Sequence, residues 1–246
     1  MASTRTYLIT GASRSLGLGY ARALLASSPS TRVVAAARNP DKADALQALA
    51  KEEANKGRMY LLKLDMDDVA SVENAAKELE GSGFLGEGGV DALVLNAGVC
   101  IARMKTPTQT TEQDVMDNLK TNLFGTMQVV STFLTFVRKS KAKQIIGVSS
   151  VCGSITKFGE LTLNTPYGIS KVALNMYLKK LATELKEEGF TVCMFHPGYV
   201  KTDINDGAGD IMTEEAVDLA MKNVFLKVSP QDNGAFLSYD GTAMPW

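Results

Sequence analysis

Tyr167 and Lys171 stand four residues apart in Tyr167-Gly168-Ile169-Ser170-Lys171, which runs on into Val172-Ala173-Leu174. On a helix this spacing places both side chains on one face, one turn apart. A free phenol has a pKa of about 10 and keeps its proton near neutrality. An ammonium held beside it stabilises the phenolate and is expected to draw that pKa toward the working range. The pair is then a candidate proton donor to a carbonyl undergoing reduction. Ordinary solvated helices carry the same spacing, so the reading depends on what else the chain holds.

The elements that must position the pair alternate along the whole chain. Short apolar runs at Tyr7–Thr10, Val33–Ala37, Met59–Leu64, Asp91–Leu95, Ile145–Ser149, Thr191–Phe195 and Ala235–Ser238 read as strands. Helical patterns lie between them, near Leu18–Ser27, Asp41–Asn55, Asp68–Leu79, Glu112–Val137, Pro166–Glu187 and Thr213–Leu226. This alternation predicts an α/β fold: a Rossmann-type, doubly wound parallel sheet of about seven strands with helices on both faces. Ligands in such a sheet sit at the carboxyl ends of the strands. No repeat or linker interrupts the 246 residues, so residues 1–246 are expected to form a single domain. Its cofactor half would run over about 1–140 and its catalytic and substrate-binding half over about 141–246.

Hydrophobic residues make up 45% and charged residues 22%, the balance of an ordinary soluble protein. A formal net charge of −1 offers no broad grip on nucleic acid or an anionic membrane. No apolar run reaches the ~18 residues of a membrane span, and with a first strand at Thr6 no signal peptide is expected. Cys100, Cys152 and Cys193 are scattered and odd in number, which suits reduced thiols and a cytoplasmic location. His196 is the only histidine; neither a His-based metal site nor a Ser-His-Asp triad is expected, and no metal is expected. It is placed at a strand end beside the cofactor cleft. Arg138-Lys139-Ser140-Lys141-Ala142-Lys143 falls where a helix should end, and cations there suit the helix dipole.

Directly after the first strand comes Thr10-Gly11-Ala12-Ser13-Arg14-Ser15-Leu16-Gly17-Leu18-Gly19. A glycine-rich turn from strand to helix lets backbone amides approach a pyrophosphate, and the helix N-terminus favours its charge. Here the chain resembles the short-chain dehydrogenase/reductase family, whose usual loop is Thr-Gly-x-x-x-Gly-x-Gly. Thr10, Gly11 and Gly17 match it, while Ser15 stands where the middle glycine normally falls. A Cβ at that point is expected to push the pyrophosphate outward slightly. The resemblance implies cofactor contacts from Gly11, Ser13, Arg14, Ser15, Leu16 and Gly17.

Family members that use NAD commonly carry an aspartate at the end of the second strand. Arg38 follows that strand here, and with Arg14 it offers guanidinium groups suited to a 2′-phosphate, so NADPH is expected over NADH. Asp65-Met66 matches the family's adenine contact, and Asn96-Ala97-Gly98 resembles its turn after the fourth strand, with Leu95 in place of a first asparagine. Pro197-Gly198-Tyr199-Val200-Lys201-Thr202 resembles the segment along the nicotinamide. By that resemblance the Val200 backbone and the Thr202 hydroxyl hold the carboxamide.

At the chemical end the resemblance makes Tyr167 the general acid. Lys171 becomes the cation that lowers its pKa and binds the nicotinamide ribose, and Asn122 an aid to a proton-relay water. Ser149-Ser150-Val151-Cys152-Gly153 matches the family's Ser-Ser-x-x-Gly, whose second serine bonds the substrate oxygen. In many members that serine lies 13 residues before the tyrosine; here Ser150 lies 17 before it and Ser154 lies 13 before it. Ser150 is preferred, because the strand end fixes where the hydroxyl points and loops absorb insertions.

Thr-Gly-x-x-Arg-x-Leu-Gly-Leu-Gly and the long serine-to-tyrosine segment are similar to sniffer and C-factor-type carbonyl reductases. The Tyr239–Trp246 segment and His196–Asp203 are similar to fungal polyketide ketoreductases of the norsolorinic acid type. The expected substrate is therefore a small-molecule carbonyl, with an aromatic or polyketide ketone favoured. The segment from Asp203 to about Thr213 holds two glycines, Gly207 and Gly209, and no aromatic residue, and is expected to be mobile without ligand. Alcohol oxidation, a cyclisation coupled to reduction, and a non-enzymatic NADPH sensor remain open as alternatives. Many relatives assemble through the helices that correspond to Glu112–Val137 and Pro166–Glu187, so a homodimer or homotetramer is expected.

Overall fold

The computed structural model describes residues 4–246. Seven parallel strands, β1 (Arg5–Thr10), β2 (Thr31–Ala37), β3 (Met59–Lys63), β4 (Ala92–Leu95), β5 (Gln144–Val148), β6 (Thr191–His196) and β7 (Phe236–Ser238), form one sheet. Their order is β3-β2-β1-β4-β5-β6-β7, so the winding reverses between β1 and β4. A crevice opens at the carboxyl edge of such a switch point.

Alternating side chains build a core on each face of the sheet. Leu8, Val34, Leu62, Leu93 and Ile145 point to the side covered by α3 (Val69–Gly81), α5 (Thr126–Lys139) and α7 (Thr165–Glu184). Tyr7, Ile9, Val33, Val94 and Ile146 point to the side covered by α1 (Ser15–Ser27), α2 (Asp44–Lys51) and α8 (Thr213–Ala220). Burial on both faces is why these strands are near-continuous apolar runs.

The expected strands are present, but not every expected helix is one continuous α-helix. The stretch near Asp41–Asn55 is α2 flanked by 3₁₀ turns at Pro40–Lys42 and Glu53–Asn55. Glu112–Val137 is α4 (Glu112–Leu119), a π-helical turn over Lys120–Gly125, and then α5. Thr213–Leu226 likewise passes from α8 into a π-helical turn over Met221–Phe225. A short helix, α6 (Ile155–Phe158), lies inside the long serine-to-tyrosine segment, where sequence periodicity showed only a loop. The basic run ends α5 as a solvated face: Arg138 donates to both Glu188 carboxylate oxygens, at 2.7 and 2.9 Å.

Candidate active site

The first loop is shaped by close backbone packing. Gly11 has φ +68°, and a Cβ on Gly17 would lie 2.2 Å from the Gly11 carbonyl oxygen and 2.6 Å from Asn96 Nδ2. Ser15 has φ +47°, in the left-handed region that favours glycine. The serine thus holds a backbone shape that glycine adopts freely, at a strain of about 1–2 kcal/mol. Asn96 acts as a tie, its Nδ2 donating to the carbonyls of Thr10 (2.9 Å) and Gly11 (3.3 Å). The Thr10 hydroxyl accepts from the backbone amides of Asn96 and Ala97, both at 3.1 Å.

Arg14 and Arg38 are exposed at the rim of this loop. Arg14 pairs with Asp203 at 3.3 Å, while no ion pair engages Arg38 among the described residues. No acid stands at the end of β2. At the end of β3 the Met66 side chain enters the core beneath Gly125, leaving Asp65 at the rim. These residues suit a dinucleotide carrying a 2′-phosphate: a cradle without side chains, a helix N-terminus and guanidinium groups at its edge.

On the chemical side, α7 carries Tyr167 and Lys171 on one face, with Lys171 Nζ 5.7 Å from the phenol ring centroid. Pro166, near the start of α7, suits the first helical turn. Lys171 Nζ donates to the Val148 carbonyl at the end of β5, 3.1 Å away. Ser150 caps the following 3₁₀ turn, its Oγ accepting from the Cys152 amide, and lines the cleft. Ser154 turns away. Its Oγ donates to the Pro245 carbonyl at 2.8 Å and accepts from the Lys157 amide at 3.1 Å.

The π-helical turn swings Asn122 inward, where its side chain is fully engaged. Nδ2 donates to the Val99 carbonyl (2.9 Å) and to Ser170 Oγ (2.9 Å), while Oδ1 accepts from the Val99 amide (2.8 Å). Asn122 therefore fixes the loop after β4 against α7. A Cβ on Gly98 would lie 3.1 Å from Asn122 Oδ1 and 3.6 Å from Lys171 Nζ, so the two side chains converge on a backbone gap.

Burial governs both titrating groups. It lowers the Lys171 ammonium to about 8, with Cys152 and Cys100 opposing. It raises the Tyr167 phenol above its ordinary value, with only the Ser150 hydrogen bond lowering it. This departs from the expectation that the lysine draws the phenol toward neutrality: loss of hydration around the ring sets the direction. A phenol that keeps its proton is the form a general acid requires. His196 sits at the cleft as expected, held neutral by burial, which lowers it to about 4.

The cleft encloses about 510 Å³ and is lined by Ser150, Tyr167, His196, Pro197, Gly198 and Thr202. Periodicity had not marked its apolar wall: Phe158, Leu161 and Leu163 from the long serine-to-tyrosine segment, with Tyr199 and Ile204 opposite. The four extra residues between Ser150 and Tyr167 were the available signal. The Asp203–Thr213 segment, expected to be mobile, is tied down. Lys201 donates its amide to the Ile211 carbonyl (3.0 Å), Asn205 Nδ2 donates to Val200 O (2.9 Å), and Arg103 pairs with Asp206 (3.2 Å).

The model of the short chain dehydrogenase family matches residues 5–212. The chain belongs to that family. An uncharacterised oxidoreductase of Schizosaccharomyces pombe is 33% identical to this short-chain dehydrogenase, covering 100% of both chains. The NADPH-bound carbonyl reductase from chicken fatty liver superposes with a TM-score of 0.88 at 32% identity, over 99% of this chain and 100% of its own. Carbonyl reductase Sniffer of Drosophila melanogaster gives 0.88 at 27% identity, with the same coverage. Family membership makes the protein an oxidoreductase, on a sheet shared with these reductases. Among the described residues no helix is long and apolar enough to cross a membrane.

Proposed function

We propose that this short-chain dehydrogenase is an NADPH-dependent carbonyl reductase acting on an uncharged aromatic or polyketide-like ketone. The observation that carries the reading is the meeting of Ser150 and Tyr167 in one apolar cleft beside the glycine loop. The chemistry that the reduced nicotinamide supplies when bound is a hydride. Tyr167 gives its phenolic proton to the substrate oxygen, breaking one O–H bond and forming another. Ser150 donates a hydrogen bond to the same oxygen as charge develops on it. Lys171 then faces the phenolate left on Tyr167, and Asn122 keeps the Val99 loop closed against α7. Arg38 and Arg14 select the 2′-phosphate, and the wall of Phe158, Leu161 and Leu163 takes the ring of the ketone.

The test is fluorescence titration with NADPH and NADH, followed by turnover of aromatic and aliphatic ketones. NADPH is expected to bind more tightly, and Arg38→Ala to weaken it about tenfold while sparing NADH. Equal catalytic efficiency with both cofactors would sink the assignment. Ser150→Ala is expected to lower kcat about 10²-fold, whereas Ser154→Ala leaves kcat near wild type. Loss of turnover on Ser154→Ala alone would reverse that choice of serine.

We also infer assembly through α4, α5 and α7. Met116, Met127, Ile169 and Met176 on these helices, with Phe124 in the π-helical turn between α4 and α5, leave apolar side chains exposed. Light scattering at micromolar concentration is expected to report a dimer or larger; a monomer mass would overturn it.

A further inference from the structure

The residues Tyr239–Trp246 cross the back of the site, and the reaction described above gives them no task. They fold back along β7: Ser238 donates its amide to Thr242 O at 2.8 Å and Met244 donates to Phe236 O at 2.8 Å. At the near end the Tyr239 ring stands edge-on to His196, and a Cβ on Gly198 would lie 3.2 Å from it. Tyr239 thus backs the Pro197-Gly198 turn. At the far end Trp246 stacks on Phe236, centroids 5.5 Å apart, with Lys179 Nζ 5.5 Å from its ring.

What this end touches is α6. Thr156 donates both its amide (3.0 Å) and its hydroxyl (2.6 Å) to the main-chain oxygen of Trp246. Ser154, the N-cap of α6, donates to Pro245 O. These bonds matter because α6 has little else to hold it. It spans four residues, none of them buried, and a helix that short does not stand alone in water. Ile155 is 67% exposed and Leu161 60% exposed, so apolar burial does not anchor the segment either. Its other end is fixed at Asn164, whose amide donates to Arg103 O at 2.7 Å and whose carbonyl accepts from Gly168 N at 2.8 Å in the first turn of α7. Between the two anchors lie Phe158, Leu161 and Leu163, the apolar wall of the cleft.

We propose that Ala243–Trp246 is a strap that fixes the α6 wall and thereby sets how large a ketone the cleft grips. Thr156, Ser154 and Trp246 are positioning residues, acting through the wall and not on the reacting atoms. The proposal rests on the reading that the cleft takes a carbonyl substrate.

The experiment compares wild type with Thr156→Val/Trp246→Ala and with the conservative Trp246→Phe. Amide hydrogen exchange over 155–163 is read first, then KM and kcat for a bicyclic aromatic ketone and a small aliphatic ketone, with NADPH affinity alongside. The double variant is expected to exchange that segment at least about tenfold faster. Its KM for the aromatic ketone should rise about tenfold, with kcat, NADPH affinity and the aliphatic KM within about twofold. Trp246→Phe, which keeps an aromatic ring against Phe236 and leaves Thr156 in place, should keep the wild-type values. Unchanged exchange in the double variant overturns the strap, and so does an equal loss for both ketones together with weakened NADPH binding. Should the wild type reduce no ketone at all, the reductase reading falls, while the exchange result still decides the strap.

Discussion

Tyr167→Phe is expected to bind NADPH as wild type does and to reduce ketones about 10²–10⁴-fold more slowly. The ring and its packing stay; only the proton is lost. Burial holds that proton on the phenol above its ordinary range, so the acid is loaded at every working pH. The pH response should come instead from Lys171, lowered to about 8. Below that pH the ammonium is present and can face the phenolate formed as the substrate is protonated. As pH rises through about 8 the cation is lost, and reduction should fall about tenfold per unit. Wild-type kcat/KM measured from acid to alkaline pH checks this. A profile with no fall across that region would show that Lys171 is not the titrating group, and full turnover by Tyr167→Phe would remove the tyrosine as acid.

Gly17→Ala should have the second large effect. The added Cβ would lie 2.2 Å from a backbone oxygen and 2.6 Å from the Asn96 amide, and neither is the free end of a flexible chain. The glycine loop must shift, and Asn96 must release the Thr10 or Gly11 carbonyl. Overpacking of this kind costs about 1–3 kcal/mol, or on the order of 5 °C in Tm for a chain of this size. NADPH affinity should drop about 100-fold, because the displaced amides no longer meet the phosphates. Gly88→Ala serves as the control, since its Cβ would meet nothing within 4 Å and its φ is ordinary. Melting curves and NADPH titrations of the two variants decide the matter: if Gly17→Ala behaves like Gly88→Ala, the tight cradle is not what shapes the loop.

The strand pattern could be read from the chain because each central strand is buried on both faces and appears as an unbroken apolar run. Tyr167 and Lys171 could be placed because helical spacing alone puts them on one face. The wall at Phe158–Leu163 could not be read that way. Its side chains follow no period, and α6 is held by Pro245 and Trp246, about ninety residues away along the chain. Tethers across such distances leave no local trace in composition. The direction of the Tyr167 shift was missed for a related reason, since desolvation depends on what surrounds the ring and not on its neighbour four residues on.

The π-helical turn at Lys120–Gly125 has a mechanical meaning. An extra residue in one turn rotates everything after it by about 100° relative to everything before. The long stretch from Glu112 to Lys139 is therefore two rods out of phase, not one amphipathic cylinder. The first answers to the loop after β4, where Asn118 exchanges hydrogen bonds with the Ile101 backbone. The second answers to the sheet through Val129, Phe133 and Val137. Asn122 stands at the joint, so each rod can settle on its own partner without dragging that side chain out of line.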